Sequence, residues 1–135
     1  MKNLILIFVL FTSFNAFSQD PMKDVDPDML YSKSQMRMIC GELVQNIEGH
    51  VTERLYYPFE EKYRPVVGSW AYLMKVDMFT DMATIKTMLS MNWERDIIYV
   101  PMDDGGDLVF DKKNDMILGY IVQQNSKILL TLIHK

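Results

Sequence analysis

The last forty residues constrain the fold most strongly, because four β-rich runs follow one another there with very little chain between them. Short turn-forming segments rich in Asp, Gly, Asn and Ser separate the runs, which cover residues 96–102, 108–111, 116–123 and 127–134. Connections this short join only antiparallel neighbours, since parallel strands need a crossover of a dozen or more residues. The sequence therefore predicts a C-terminal β-meander. Pro101 lacks a backbone N–H, so we expect an edge or a bulge in the first of these strands.

Two amphipathic helical patterns precede the meander. Ser32 or Ser34 is predicted to begin the first helix, and Ser32 and Gln35 have the spacing of a capping box. Apolar residues then recur on one face of this helix, which Gly49 is expected to end. That face comprises Met36, Ile39, Cys40, Leu43, Val44 and Ile47. Thr80 or Asp81 is predicted to cap a second helix. Its apolar face comprises Met82, Ile85, Met88 and Leu89.

Residues 51–57 and 69–78 are two further candidate strands. From Trp70 to Met78 large apolar residues occupy every second position, which is the two-residue period of a strand. Helices and strands that are segregated along a chain in this way favour an α+β fold. We predict that both helices pack on one face of a mostly antiparallel sheet of four to six strands, in a single domain over residues 32–135.

The N-terminus has the pattern of a cleavable signal peptide over residues 1–18. Lys2 is followed by an uninterrupted apolar run at residues 4–11, and an Ala-Phe-Ser cleavage motif ends at Ser18, directly before Gln19. The apolar run is too short to span a bilayer, which needs about 20 residues. We therefore expect an exported protein, periplasmic or secreted, that does not span the membrane after cleavage.

The acidic character of the chain restricts its partners. Residues 19–31 contain four aspartates and two prolines and are predicted to form a flexible acidic lead-in. The whole chain has a net charge of −4 and no cluster of basic residues. This balance argues against nucleic acid as a partner, because nucleic acid is bound through patches of Lys and Arg. The single cysteine, Cys40, cannot form an internal disulfide, so packing must stabilise the fold.

The spacing of potential ligands predicts no metal site, and the sequence predicts no cofactor. His50 and Glu53 could supply two ligands, but the predicted helix ends before them and the only other histidine is His134. The acidic loop at residues 103–107 lacks the alternating carboxylates and the distal glutamate of a calcium loop. Its two glycines are instead typical of a hairpin turn, which requires positive φ angles.

An aromatic segment without a regular period is the strongest candidate for a contact surface. Its members are Tyr56, Tyr57, Phe59 and Tyr63, and prolines interrupt the segment. No periodic pattern obliges these side chains to face inward, so we predict that at least two of the four are exposed and adjacent. Tyrosine is enriched among the residues that dominate binding surfaces. The sequence thus favours a non-catalytic binding module of the cell envelope or extracellular space, with a protein or a saccharide as its partner.

Two alternatives belong to other functional classes. The first is a small hydrolase that uses carboxylates of the 103–107 loop together with His50 for acid–base catalysis. It requires the imidazole and the loop to lie close together. The second is a carrier of a small apolar ligand, which requires an interior pocket of roughly 300 Å³ or more between the helices and the sheet. The sequence leaves the oligomeric state open.

Overall fold

A computed structural model describes residues 26–58, 68–91, 94–103 and 105–135. The predicted signal peptide and residues 19–25 of the lead-in lie outside the described residues. The elements are, in chain order, α1 (Lys33–Val44), β1 (Val51–Pro58), β2 (Gly68–Lys75), α2 (Met82–Leu89), β3 (Ile97–Pro101), β4 (Asp107–Asp111), β5 (Met116–Gln124) and β6 (Lys127–His134). Within these ranges, no helix combines the length and the apolar character that crossing a bilayer requires.

The six strands form one antiparallel sheet in the order β1-β2-β6-β5-β4-β3. The prediction of an α+β fold with an antiparallel sheet is confirmed, and the strand number is the upper end of the predicted range. From β3 to β6 each strand pairs with the next one in the chain. The hairpin of β1 and β2 extends the sheet beyond β6. Pro101 ends the edge strand β3, as its missing donor predicts.

Both helices begin at side-chain caps that the sequence predicts. Ser32 Oγ accepts a hydrogen bond from the Gln35 backbone N–H, and the Gln35 side chain accepts one from the Ser32 N–H, which completes the capping box. Asp81 caps α2 by accepting from the backbone N–H of Thr84 at 2.8 Å. Hydrogen bonds from the side chain of Thr84 and from its backbone N–H lower the pKa of the Asp81 carboxyl. The caps satisfy backbone donors that have no partner inside a helix.

Helix α1 ends earlier than predicted, at Val44 rather than at Gly49. After Val44 the chain forms a turn tighter than that of an α-helix, because the Ile47 N–H donates to the Val44 carbonyl only three residues back. The side chain of Asn46 donates to the Met91 carbonyl at 3.1 Å, which ties this turn to the end of α2. Gly49 then lies inside a short 3₁₀ helix rather than at an α-helical C-terminus. Met91 is distant from Asn46 in the sequence, so the local sequence pattern gives no indication that α1 ends at Val44.

One face of the sheet and both helices share a single core. Strand residues on this face alternate with residues that point the other way, except at the register shift between β4 and β5, across which Leu118 and Ile121 both join the core. Tyr72 and Leu130 are directly opposed across β2 and β6 on this face. The helical members are Met36, Ile39, Cys40, Leu43, Val44, Ile85 and Leu89. Every position of the predicted helical faces that is buried in the structure joins this cluster, and Ile47 joins it from just beyond α1.

The opposite face of the sheet, here called the second face, holds a smaller apolar cluster. Leu30, Ile117 and Ile133 form its buried centre, and neither helix contributes to it. Leu30 is 1% exposed and bridges Ile117 in a parallel pairing. Residues 26–31 were expected to belong to a flexible lead-in, but they are part of the fold, because Leu30 buries its side chain on this face.

A fully buried carboxylate, that of Asp111 in β4, belongs to a polar network that reaches α1. Asp111 accepts hydrogen bonds from Arg95 at 3.3 Å, from the side chain of Asn114 at 2.7 Å and from the Asp96 N–H at 3.3 Å. The Arg95 guanidinium also contacts Glu42 of α1 at 3.3 Å. Each of these polar groups has a partner, so none is left unsatisfied by burial. Through Arg95, the network connects α1 to the edge hairpin of β3 and β4.

Candidate functional site

The structure brings three rings and one ammonium group together at one corner of the sheet. Tyr56 of β1 is directly opposed to Trp70 of β2. His134 of β6 lies opposite Gly68, which also belongs to β2. The ring centroids of Trp70 lie 4.9 Å from those of Tyr56 and 5.0 Å from those of His134. Lys33, at the start of α1, has its Nζ 4.8 Å from the Tyr56 ring centroid. We call Lys33, Tyr56, Trp70 and His134 the aromatic corner.

A hydrogen bond between Tyr56 and His134 fixes this corner. His134 Nδ1 lies 3.0 Å from the Lys135 carbonyl oxygen, which can only accept, so Nδ1 carries the proton. Nε2 therefore accepts from the Tyr56 hydroxyl, at 3.1 Å. His134 is 2% exposed, and this burial lowers its pKa. The imidazole is consequently neutral at pH 7 and has both nitrogens engaged.

Gly68 creates the space in which the two side chains meet. A Cβ atom at this position would lie 2.3 Å from His134 Nε2 and 2.8 Å from the Tyr56 hydroxyl oxygen. Both distances are shorter than real Cβ atoms show, so any other residue would displace the pair. The hydrogen bond thus lies directly against the backbone of β2, and the Tyr56 hydroxyl points inward.

Tyr56 nevertheless remains partly open to solvent. The residue as a whole is 38% exposed, although its hydroxyl is held by a buried histidine and its ring contacts Trp70. The Tyr56 and Trp70 planes are inclined by 50°, so the two rings do not form one flat platform. The corner therefore presents a fixed aromatic edge with a neighbouring ammonium group.

Only one of the four residues predicted for the contact surface can be placed completely. Tyr56 is exposed and belongs to the aromatic corner. Phe59 and Tyr63 lie outside the described residues, as does the side chain of Tyr57. The expected adjacency of two exposed members therefore stays a prediction. Lys33 and His134 were not singled out as companions of Tyr56, because pairings between β1, β6 and α1 leave no pattern in the local sequence.

The second face carries a groove of about 450 Å³. Its apolar floor is formed by the side chains of Leu55, Ala71, Leu73 and Leu129. Glu53 lies at one side, and the hairpin turn between β5 and β6 closes one end with Gln124, Asn125, Ser126 and Lys127. Leu55 is 44% exposed, so part of the floor faces solvent. This groove lies on the opposite side of the sheet from the helix–sheet interface, in which the ligand-carrier alternative requires a pocket.

The residues of the hydrolase alternative are engaged elsewhere. His50 Nδ1 lies 2.8 Å from the Thr80 hydroxyl oxygen, and Asp107 pairs with Lys86 of α2. His50 directly precedes β1, whereas Asp107 begins β4, and four strand spacings separate these strands in the sheet. At about 4.8 Å per spacing this separation is roughly 19 Å. Asp107 of the loop therefore lies far from His50 in the sheet.

The lone thiol is enclosed in the core. Cys40 is 5% exposed, and burial raises its pKa to about 11, partly offset by a hydrogen bond with Tyr72. The same burial raises the pKa of Tyr72. A thiol in this environment is not a nucleophile at neutral pH. Within the described ranges, His, Cys, Asp and Glu side chains form no group of three or more that could hold a metal ion.

No family model matches the chain, and neither a curated protein nor a solved structure matches it. The aromatic corner and the groove are therefore interpreted from their own chemistry, since a fold by itself does not determine a function.

Proposed function

We propose that this chain is a non-catalytic binding module, exported to the cell envelope or extracellular space, that binds a partner protein through the aromatic corner. In this proposal both helices cover one face of the sheet, and the corner lies at the end of that face. The observation that carries the proposal is the state of Tyr56. The residue is 38% exposed on an edge strand, yet a hydrogen bond and a ring contact hold its side chain in place.

A fixed, exposed tyrosine supports tight binding for an entropic reason. A side chain that is immobilised only on association costs about 0.5–1.5 kcal/mol of binding free energy. His134 and Trp70 already immobilise Tyr56 in the free protein, so association avoids most of that cost. Tyrosine and tryptophan are also among the residues that most often dominate binding energy.

The same contacts argue against catalysis at this corner. Tyr56, His134 and the Lys135 carbonyl superficially resemble a nucleophile, a base and an orienting group. The Tyr56 hydroxyl, however, points toward Gly68 and a buried imidazole rather than toward solvent. The hydrogen bond therefore serves to position the ring.

A protein partner fits the corner better than a saccharide does. Sugars stack on flat aromatic surfaces, whereas Tyr56 and Trp70 are inclined by 50° and Lys33 lies over the Tyr56 ring. Lys33 is exposed and can pair with a carboxylate of the partner. The complementary surface of the partner has an apolar group that contacts Tyr56 and, beside it, an acidic side chain that contacts Lys33.

Comparative capture from an envelope extract tests this function. The full-length chain, expressed with its own N-terminal segment and a linker-borne tag after Lys135, serves as bait beside the Tyr56→Ala and Lys33→Glu variants. Phe79→Ala is the matched control, because Phe79 is 72% exposed but lies beyond the opposite end of β2. Bound proteins are quantified by mass spectrometry for each bait.

We expect at least one protein that the wild-type and Phe79→Ala baits retain equally and that both corner variants lose. An identical set of proteins on all four baits would contradict the proposal. Binding of the wild-type chain to insoluble polysaccharide, without any enriched protein, would contradict the protein partner and favour the saccharide alternative.

A further inference from the structure

Two lysines face each other on the second face of the sheet. Lys75 of β2 and Lys127 of β6 are direct cross-strand partners, and both are exposed. Neither forms an ion pair with the part of the chain that the structure describes. Like charges directly opposite one another destabilise a sheet. An anion held between the two ammonium groups would turn this repulsion into attraction.

The apolar floor of the groove begins in the next row of the sheet. Leu73 and Leu129 are cross-strand partners two residues beyond the lysines, and Ala71 with Leu55 forms the row after that. Each row adds about 7 Å along the strands, so the floor extends roughly 14 Å from the lysine pair. Lys127 lines this end of the groove, and Lys75 lies beside it as its cross-strand partner. A charged end that leads into an apolar trough is complementary to an amphiphile. The groove volume, about 450 Å³, lies within the range of small-molecule sites.

We infer that this groove binds a single-chain fatty carboxylate. The carboxylate lies between Lys75 and Lys127, and the hydrocarbon chain runs over Leu73 and Leu129 toward Leu55. Glu53 also lines the groove, on its β1 side, so the formal charges of this carboxylate and the two lysines sum to +1. A site of that charge matches a monoanionic carboxylate better than a phosphate dianion. Because the aromatic corner lies on the other face, this site is independent of the proposed protein-binding function.

The turn between β5 and β6 can complete the recognition of the head group. Gln124 is the cross-strand partner of Lys127, and the side chains of Asn125 and Ser126 line the same end of the groove. Amide and hydroxyl groups donate hydrogen bonds to a carboxylate. Asn125 adopts a left-handed conformation (φ 57°), which asparagine tolerates in tight turns. The head-group end therefore combines two charges with neutral donors.

Calorimetric titration of the full-length chain with decanoate tests the site. Acetate, which lacks the hydrocarbon chain, and decyltrimethylammonium, which reverses the head-group charge, are the ligand controls. The variants are Lys127→Glu and Lys127→Gln, so that a folding defect in the first leaves the second informative. Lys113→Glu is the matched control, since Lys113 is exposed in the turn between β4 and β5 on the far side of the sheet.

We expect saturable binding of decanoate that weakens at least about tenfold in both Lys127 variants and changes less than about twofold in Lys113→Glu. Glu53→Gln should tighten binding, because it removes the opposing charge. The proposal is overturned if decanoate does not bind, if decyltrimethylammonium binds equally well, or if the Lys127 variants bind like wild type. Sedimentation as a dimer that decanoate does not dissociate would assign the groove to a second copy and would also overturn it.

Discussion

The Tyr56 hydroxyl donates a hydrogen bond to His134 Nε2 across 3.1 Å, and this contact joins an edge strand to a central strand over the backbone of β2. The two residues are 78 positions apart in the chain. The hydrogen bond requires a neutral imidazole, because a protonated ring has no acceptor. The geometry of the aromatic corner is therefore linked to the protonation of His134.

Stability should fall as the pH is lowered through the titration range of His134. Burial lowers its pKa in the folded state below the ordinary value of about 6.5, so the unfolded chain binds the proton more readily. The contribution of this group to the free energy of unfolding is complete above about pH 6.5 and is lost as the pH falls toward the folded-state pKa. Urea unfolding at pH 7.5 and 5.5 measures it. The His134→Gln variant should lose less stability than wild type over that interval, and an equal loss would refute the assignment.

Removal of the buried carboxylate should be far more damaging than removal of an exposed one. Asp111→Ala leaves Arg95, whose side chain is 13% exposed, without its buried partner. We expect a loss of about 3–5 kcal/mol in the free energy of unfolding. Glu48→Ala is the control, because Glu48 and Arg54 form an ion pair with side chains 64% and 54% exposed. That change should cost less than about 1 kcal/mol, and similar losses for both variants would contradict the structural role of Asp111.

Two glycines should respond in opposite ways to alanine. A Cβ at Gly119 would lie 1.9 Å from the Thr131 carbonyl oxygen, which is backbone of the neighbouring strand and cannot move aside. Gly119→Ala should therefore prevent stable folding or lower the melting temperature strongly. A Cβ at Gly41 meets no atom within 4 Å, and Gly41 lies inside α1. Gly41→Ala should stabilise the protein by roughly 0.5–1 kcal/mol, and destabilisation there would show that α1 packs differently.

Cys40 should react with thiol reagents only when the protein unfolds. Its side chain is buried, and a pKa of about 11 leaves almost no thiolate at neutral pH. We expect negligible labelling of the native chain by a chromogenic disulfide reagent, and one equivalent in denaturant. Rapid labelling without denaturant would mean that the core face of α1 is accessible. The same assay provides a folding test for every variant above.

Local pattern sufficed for most of the elements. The capping box at Ser32 and the turn-forming segments predicted the start of α1 and the boundaries of the last four strands to within one residue. These features are set by neighbours in sequence, so a single chain reveals them. The end of α1 was missed, because the contact of Asn46 with Met91 is made between distant segments.

The candidate sites depend on such distant contacts to a much greater extent. Tyr56 could be identified as a candidate from its irregular surroundings, but its fixation by His134 depends on which strands are neighbours in the sheet. The opposition of Lys75 and Lys127 depends on register, which a shift of one residue would abolish. Sequence patterns therefore predicted which residues lie in strands, whereas the strand order decides which of them meet.

The most direct test of the central claim is the dissociation constant of the captured partner protein for the wild-type chain, Tyr56→Ala and Phe79→Ala. Each variant is first shown to be folded by protection of Cys40. If Tyr56 is the fixed anchor of a binding surface, Tyr56→Ala weakens binding by about 2 kcal/mol or more, roughly 30-fold, whereas Phe79→Ala stays within about twofold of wild type. A folded Tyr56→Ala variant that binds the partner as tightly as wild type would contradict the account.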